Sequence, residues 1–194
     1  FGLLSGKPGG FIYGADIAEF ELYENATDVL NHMQFVHSLF DRIENLKVPT
    51  SVGIDGIAVG GGLEIALTFD HIIVTSSNKT KLGFPEVNLG ILPGYGGSGR
   101  AYRRIGTAAV MQMMLSGNPM SASTAYTAGL IDQKIDDAKE LRSSIESWLI
   151  AQNLTKPKRQ QREASADQTA LNEASARFLK SLCIDPVSYT HLTL

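Results

Sequence analysis

The chain has 194 residues, of which 43% are hydrophobic and 19% are charged, and its formal net charge is −3. This length and composition predict one globular domain and exclude an intrinsically disordered chain. So weak a net charge argues against nucleic acid as a partner, because phosphate binding needs a concentrated basic surface.

The cysteine content, the apolar runs and the N-terminal residues exclude several further classes of protein and site. The sole cysteine, Cys183, excludes an internal disulfide and a cysteine-based zinc site. The apolar runs are shorter than the roughly 18 residues that a spanning helix needs, so we expect no membrane span. The sequence begins with Phe1 rather than methionine, and we expect a fragment whose N-terminal strands are missing. No secretory signal is visible, which favours a cytoplasmic protein, or a mitochondrial matrix protein for a eukaryotic source.

The first elements are predicted from apolar runs and stop signals. Residues 1–6 are typical of the end of a strand that runs into a loop, and residues 11–15 predict a short strand. Thr27 is the predicted N-cap of a helix over 27–46, which Pro49 ends. The residues predicted to form the apolar stripe of this helix are Leu30, Val36, Leu39, Phe40 and Ile43.

Strands and helices alternate along the rest of the chain, which predicts an α/β fold with right-handed crossovers. The predicted elements are a strand over 50–55, a glycine turn at 60–62, a helix over 63–69, a buried strand over 71–75, a loop-rich stretch over 83–99, helices near 107–116 and 121–128, a strand over 130–135, and helices near 138–153 and 166–182. We divide the chain into a core over 1–135, a helical C-terminal segment over 136–185 and a non-native tail over 186–194. The basic cluster over 156–162 is interpreted as a solvated linker, with a phosphate-facing patch as the alternative.

The triple glycine Gly60, Gly61 and Gly62 stands directly before a predicted helix. The first N–H groups of a helix lack partners within the helix and carry partial positive charge. With no side chain in the way, they could hold a phosphate or polarise a carbonyl oxygen. Tight packing of the turn against a strand explains the glycines equally well.

A second glycine-rich segment, 94–99, matches the G-x-G-x-x-G pattern of dinucleotide-binding proteins. Pro93 precedes it where a strand is required, and no acid follows in 111–119, so we discount a Rossmann site. A P-loop is excluded because its lysine and its serine or threonine are missing.

Two glutamates interrupt apolar segments near these glycines. Glu64 lies in the first turn of the predicted helix over 63–69, and Glu86 follows Pro85. Their ordinary interpretations are a helix-start charge and a loop acid. Burial would raise the pKa of both carboxyl groups toward neutrality, which suits general acid–base catalysis. That they meet in space is a hypothesis at this point.

Other chemistry is weakly supported. The sequence has no G-x-S-x-G elbow, and its histidines, His32, His37, His71 and His191, show no metal-ligand spacing. His32 and His37 are five residues apart, which misses a shared helix face. Asp16 and Asp70 are interpreted as a turn residue and a cap residue. We expect no metal.

Four segments, in this order, resemble the motifs of one family. Residues 11–17, FIYGADI, are similar to F-x-x-G-A-D, and residues 55–64, DGIAVGGGLE, to G-x-x-x-G-G-G-x-E. Residues 82–97 are similar to G-x-P-E-x-x-L-G-x-x-P-G-x-G-G, and residues 128–132 to A-G-L-V-D. The sequence is therefore identified as a member of the crotonase (enoyl-CoA hydratase/isomerase) superfamily. It is most similar to the hydratase part of multifunctional fatty-acid oxidation proteins.

The resemblance implies a crotonase-like spiral of ββα units with a helical C-terminal segment. It implies an enoyl-CoA hydratase of fatty-acid β-oxidation that adds water across the 2,3 double bond of 2-enoyl-CoA thioesters. The alternative is isomerase or other acyl-CoA enolate chemistry, such as that of a dehalogenase, decarboxylase or thioester hydrolase. Coenzyme A is then part of the acyl-CoA substrate, and no separate cofactor is expected. A homo-oligomer or a fusion to a 3-hydroxyacyl-CoA dehydrogenase domain is the expected assembly.

The resemblance also implies roles for particular residues. Glu64 and Glu86 correspond to the two hydratase acids, and the backbone N–H groups of Ala15 and Gly61 to the oxyanion hole. The implied substrate-binding residues are Gly14, Asp16, Gly60, Gly62, Pro85, Gly94, Gly96 and Gly97. One departure is Gly99, where the family commonly has glutamine; we expect it to loosen the helix that follows.

Overall fold

A computed structural model describes residues 1–7 and 10–158. Within these ranges, the strands are β1 (Gly2–Leu4), β2 (Ser51–Ile54), β3 (Ile57–Val59), β4 (His71–Thr75), β5 (Lys81–Gly83), β6 (Met120–Ser121) and β7 (Gln133–Ile135). The α-helices are α1 (Ala26–Glu44), α2 (Gly61–Ala66), α3 (Gly97–Ser116), α4 (Ala122–Ala128) and α5 (Leu141–Ala151). Short 3-10 helices cover Ile17–Leu22, Glu86–Leu89 and Ala138–Glu140. The alternation confirms the predicted α/β class.

One sheet has the strand order β1-β2-β4-β7, with every pair parallel. Alternate residues of β4 point to opposite faces: Ile72 and Val74 join the main core, while Ile73 packs in a second cluster with Ile145 of α5. Because both faces are covered, β4 reads as a continuous apolar run, and the strand predicted over 71–75 is confirmed.

The other sheet has the order β3-β5-β6, in which β3 and β5 are parallel. Val59 pairs with Gly83, so the chain leaves both strands at the same edge. β3 leads into α2, and β5 leads into the 3-10 helix that begins at Glu86. The N–H of Gly60 donates to the carbonyl oxygen of Gly83 at 3.0 Å, which joins the segments that follow β3 and β5.

Helix α1 differs from its prediction at both its start and its face. Asn25, not Thr27, is the N-cap, and its side chain accepts hydrogen bonds from the N–H groups of Thr27 and Asp28. Asparagine is among the best capping residues, so it takes the position two residues earlier. Of the predicted apolar stripe only Phe40 is buried, and Leu30 is 54% exposed. Burial therefore holds α1 only weakly.

Two other predictions need correction. Residues 11–15 do not form a strand: one isolated bridge joins Gly10 to Ile57, and Gly14 has a φ of 116°, which ends extended pairing. Helix α3 begins at Gly97, ten residues before the predicted helix near 107–116. It is interrupted at Gly106, whose φ of 77° is not helical, so the prediction covers its second half.

The start of the basic cluster is not a solvated linker. The ammonium group of Lys156 donates to the carbonyl oxygens of Glu44 and Leu46, at 2.8 and 2.6 Å. It also lies 3.6 Å from a carboxylate oxygen of Asp70. Lys156 therefore binds the C-terminal end of α1, where a helix favours a positive charge.

Some predictions fall on residues that the structure does not describe: the helix near 166–182, Cys183, His191, the tail over 186–194 and most of the basic cluster. The division of the chain at residue 135 also stays a prediction. In the described ranges, no helix is both long and apolar enough to cross a membrane.

The surroundings of one glycine in α2 and one in α3 predict opposite effects of substitution by alanine. A methyl group at Gly62 would overlap the carbonyl oxygen of Ile12, whereas one at Gly99 would meet nothing within 4 Å. We expect Gly62→Ala to lower the free energy of unfolding by about 3 kcal/mol. Gly99→Ala, on the exposed face of α3, should raise it by about 0.5–1 kcal/mol because it removes a flexible residue from a helix. Urea unfolding of both variants tests this, and equal changes would contradict it.

Candidate active site

The triple glycine brings two backbone N–H groups together. Gly60 has a φ of 53°, and α2 begins directly after it at Gly61. Because Gly62 lies against the backbone of Ile12, the segment that ends at Ala15 crosses the start of α2. A methyl group at Gly61 would lie 3.5 Å from the nitrogen of Ala15, and one at Gly14 would lie 3.7 Å from the nitrogen of Gly61.

Neither of these N–H groups, those of Ala15 and Gly61, donates a hydrogen bond to any part of the described chain. Two neighbouring donors without partners form a site for an oxygen that carries negative charge. The packing interpretation is confirmed at Gly62, which lies against Ile12. The functional interpretation stays a prediction, and the N–H of Gly61 is placed where it could serve it.

Glu64 is buried, with 1% of its surface exposed. Its Oε1 accepts hydrogen bonds from the N–H groups of Tyr95 and Gly97, both at 2.8 Å. Burial raises the pKa of Glu64, while these two hydrogen bonds and the charge of Arg100 oppose the rise. The donors fix one carboxylate oxygen and leave the other available for a ligand.

Glu86 is also buried, but its surroundings differ. Its Oε2 has no hydrogen-bond partner in the described part of the chain, and its Oε1 would lie 3.1 Å from a methyl group at Gly60. Burial is the main cause that raises the pKa of Glu86 to about 7, and the negative charge of Glu64 adds to the rise. Near neutral pH this carboxyl group can therefore both accept and release a proton.

A cavity of about 620 Å³ opens onto both glutamates. We call it the glutamate cavity. The predicted site residues that line it are Gly14, Ala15, Gly60, Gly61, Glu64, Pro85, Glu86 and Gly94. The hypothesis that the two carboxyl groups meet in space is thus supported by the fold, which brings them to one sheet edge.

The other predicted substrate-binding residues, Asp16, Gly62, Gly96 and Gly97, do not line this cavity. Asp16 is exposed and accepts a hydrogen bond from the N–H of Ala18, as expected of a turn residue. Gly62 is buried against Ile12, and Gly97 acts through its N–H on Glu64. Gly96 lines a separate, charged cleft of about 720 Å³ beside Arg100.

Sequence reasoning missed part of the cavity wall. His32 of α1 and Tyr95 line the cavity, and the Nε2 of His32 lies 3.0 Å from the Tyr95 hydroxyl. His37 contacts the same loop through the carbonyl oxygen of Gly94, at 2.9 Å. The two histidines reach one loop although they do not share a helix face, because the tyrosine side chain extends toward His32. No spacing rule could have found a contact across 63 residues.

Among the described residues, no three His, Cys, Asp or Glu side chains are grouped so that they could hold a metal ion. The donors at the cavity are carboxylates and backbone N–H groups. This arrangement can hold an oxyanion and move a proton on nearby atoms.

The elevated pKa of Glu86 predicts how stability depends on pH. Its pKa is about 7 in the folded protein against 4.5 for an ordinary glutamate, so the contribution of this one group to stability is full below about pH 4.5 and is lost as the pH rises through 7. Between pH 5 and 8, Glu86→Gln should therefore gain up to about 3 kcal/mol relative to the parent chain. Urea unfolding at both pH values measures this, with the exposed Glu146→Gln as control. Parallel pH profiles for parent and Glu86→Gln would contradict it.

Comparison with known proteins agrees with this geometry. A family model described as enoyl-CoA hydratase/isomerase matches residues 3–180. The fatty acid oxidation complex subunit alpha of Shewanella halifaxensis is 37% identical over 158 residues, which are 81% of this chain and 22% of that protein. The corresponding subunit of Idiomarina loihiensis is 41% identical over 146 residues, 75% of this chain and 21% of that protein. The chain thus spans about a fifth of the length of these relatives.

Solved structures share the fold. An enoyl-CoA hydratase from Geobacillus kaustophilus HTA426 has a TM-score of 0.73 at 25% identity, covering 97% of this chain and 66% of that one. An enoyl-CoA hydratase from Bacillus anthracis has a TM-score of 0.63 at 30% identity, covering 73% of this chain and 53% of that one.

Proposed function

Since the chain belongs to the enoyl-CoA hydratase/isomerase family, we propose that it adds water across the 2,3 double bond of 2-enoyl-CoA thioesters in fatty-acid β-oxidation. The observation that carries the proposal is the glutamate cavity, where two buried carboxyl groups of unlike surroundings meet two N–H groups that have no partner among the described residues. The chemistry that such a site supports is an enolate with proton transfer at the neighbouring carbons.

The N–H groups of Ala15 and Gly61 would hold the thioester oxygen. As the water oxygen bonds to Cβ, the π electrons of the double bond move toward the carbonyl and the oxygen becomes negative. Each donor can contribute about 3 kcal/mol of stabilisation to this enolate. The first turn of α2 adds its partial positive charge in the same place.

The two glutamates would divide the proton transfers. Glu64, whose Oε1 is held by the N–H groups of Tyr95 and Gly97, would accept a hydrogen bond from the water and orient it. Glu86, with its pKa near 7, takes one proton from that water and delivers a proton to Cα of the enolate. One water is consumed, and both carboxyl groups end as they began.

The runner-up is isomerisation or another acyl-CoA enolate reaction at the same site. Moving a double bond needs only one acid–base group, so an isomerase has little use for a second carboxylate held by two backbone donors. The presence of Glu64 in that position favours hydration.

The relatives named fatty acid oxidation complex subunit alpha support a place within a longer polypeptide. We propose that this chain is the hydratase part of such a subunit, with a 3-hydroxyacyl-CoA dehydrogenase part elsewhere in it. The bacterial origin of these relatives supports a cytoplasmic location. Acyl-CoA is the proposed substrate, and the proposal requires no separate cofactor.

Crotonyl-CoA tests the proposed function. On incubation with the protein, the ultraviolet absorbance of the conjugated double bond should fall, and 3-hydroxybutyryl-CoA should be the product found by mass spectrometry. A 3-enoyl-CoA supplied in parallel would report isomerisation. Rapid isomerisation without hydration would support the runner-up, and binding of acyl-CoA without any turnover would contradict an enzymatic role.

A further inference from the structure

The loop over 94–97, which orients Glu64, is tied to α1 by polar contacts. The Nε2 of His32 lies 3.0 Å from the Tyr95 hydroxyl, and the Nε2 of His37 donates to the carbonyl oxygen of Gly94 at 2.9 Å. Both contacts join helix and loop across more than fifty residues of sequence. The geometry of the loop therefore depends on where α1 lies.

Arg100 provides a third tie. Its guanidinium, with 6% of its surface exposed, donates to the carbonyl oxygen of Tyr95 at 2.8 Å. The same group forms ion pairs with Asp41 and Glu44 of α1, at 3.0 and 2.8 Å. Phe40 is the buried residue of this helix, and these polar contacts join α1 to the loop in addition to its packing.

Tyr95 touches both halves of the proposed active site. Its backbone N–H donates to Oε1 of Glu64, and its ring carbons would lie 3.4 Å from a methyl group at Gly61. The ring also lies edge-on to Phe40, with centroids 5.9 Å apart. Ring and N–H belong to one residue, so a displacement of Tyr95 would change both the space above Gly61 and the direction of the N–H that faces Glu64.

The contact at the free end of the Tyr95 ring is His32, within the described part of the chain. The bonds from His37 and Arg100 act on carbonyl oxygens of the loop, whereas the bond to His32 acts on the side chain of Tyr95. We infer that His32 is a positioning residue: its hydrogen bond to the Tyr95 hydroxyl fixes the ring above Gly61 and so holds the backbone N–H that orients Glu64.

This inference rests on the proposed function, because it assigns Glu64 to the water. His32→Leu removes the hydrogen bond from the helix, and Tyr95→Phe removes it from the loop. Each should lower kcat for crotonyl-CoA hydration by about tenfold and change KM less than twofold, because orientation of the water matters most in the transition state. The double variant should be no slower than either single variant, since both remove one bond.

Two further variants separate positioning from general damage. His32→Gln places an amide close to the position of Nε2 and should restore most of the rate. Asn31→Leu makes a similar change at an exposed neighbouring position of α1 and should leave the rate unchanged. The inference is overturned if the single losses multiply in the double variant, if the loss appears in KM alone, or if His32→Gln is as slow as His32→Leu.

A second measurement does not depend on turnover. The Glu64 carboxyl group can be titrated by ¹³C NMR in the full chain, with Glu64→Gln to assign its signal. Weaker donation from the Tyr95 N–H should raise the pKa of Glu64 in His32→Leu above its value in the parent. If the parent does not hydrate crotonyl-CoA, the proposed function fails and this titration alone decides the inference. An unchanged pKa would then overturn it.

Discussion

Replacing Glu86 by glutamine is expected to lower kcat for crotonyl-CoA hydration by about 10³-fold. The amide keeps the volume of the side chain but cannot take a proton from water or deliver one to Cα. The fold should survive, because Oε2 of Glu86 has no hydrogen-bond partner in the described chain for the amide to lose. Initial rates at saturating substrate, together with a circular dichroism spectrum, measure both outcomes.

Two further glutamate-to-glutamine substitutions serve as comparisons for Glu86→Gln, one in the cavity and one on the surface. Glu64→Gln should also slow hydration, because the amide nitrogen cannot accept hydrogen bonds and the charge that orients the water is lost. Glu146→Gln on the exposed face of α5 should have no effect on the rate, since that residue makes only a surface ion pair. A rate for Glu86→Gln within tenfold of the parent would rule out Glu86 as the proton carrier.

The different surroundings of the two carboxyl groups suit the two different roles that we propose for them. Glu64 receives two backbone N–H donors, which favour its charged form against the cost of burial. Glu86 lacks that compensation at Oε2 and lies close to the charge of Glu64, so its pKa rises to about 7. One fold thus gives two neighbouring acids different surroundings, with backbone donors opposing the rise in pKa at Glu64 and a pKa of about 7 at Glu86.

The fold was predictable from sequence where burial leaves a strong local pattern. Strand β4 was predicted with its observed bounds because every residue in it is buried. Strands β5 and β6 have three and two residues, which is too short for any alternation to show. Helix α1 was predicted close to its bounds, but of its predicted apolar stripe only Phe40 is fully buried, and polar contacts also join the helix to the 94–97 loop.

The candidate site was predictable only in part, for a similar reason. Motif resemblance singled out Glu64 and Glu86. The two side chains come together because β3 and β5 are parallel neighbours, and no local sequence pattern predicts that pairing. Asp16 belongs to the matched motif but lies outside the cavity, because its carboxylate bonds to its own turn. His32 carries no motif, and its contact with Tyr95 exists only once the helix and the loop are packed.

The oxyanion hole can be tested without touching either glutamate. A methyl group at Gly61 would lie 3.5 Å from the nitrogen of Ala15 and 3.4 Å from the Tyr95 ring. These are ordinary van der Waals distances, and Gly61 is the first residue of a helix, so Gly61→Ala should fold as stably as the parent to within about 1 kcal/mol. The methyl group nevertheless occupies the space between the two N–H donors. We therefore expect kcat/KM to fall by about 10²–10³-fold.

The measurement pairs crotonyl-CoA kinetics with urea unfolding of the same preparations. Gly99→Ala is the matched control, because it makes the same chemical change where no atom lies within 4 Å and should keep full activity. Gly62→Ala is not a suitable control: its methyl group would overlap the carbonyl oxygen of Ile12, so a loss of activity there would follow from lost stability. A stable Gly61→Ala protein with parental kcat/KM would show that the thioester oxygen binds elsewhere, since the methyl group and the enolate oxygen compete for one place.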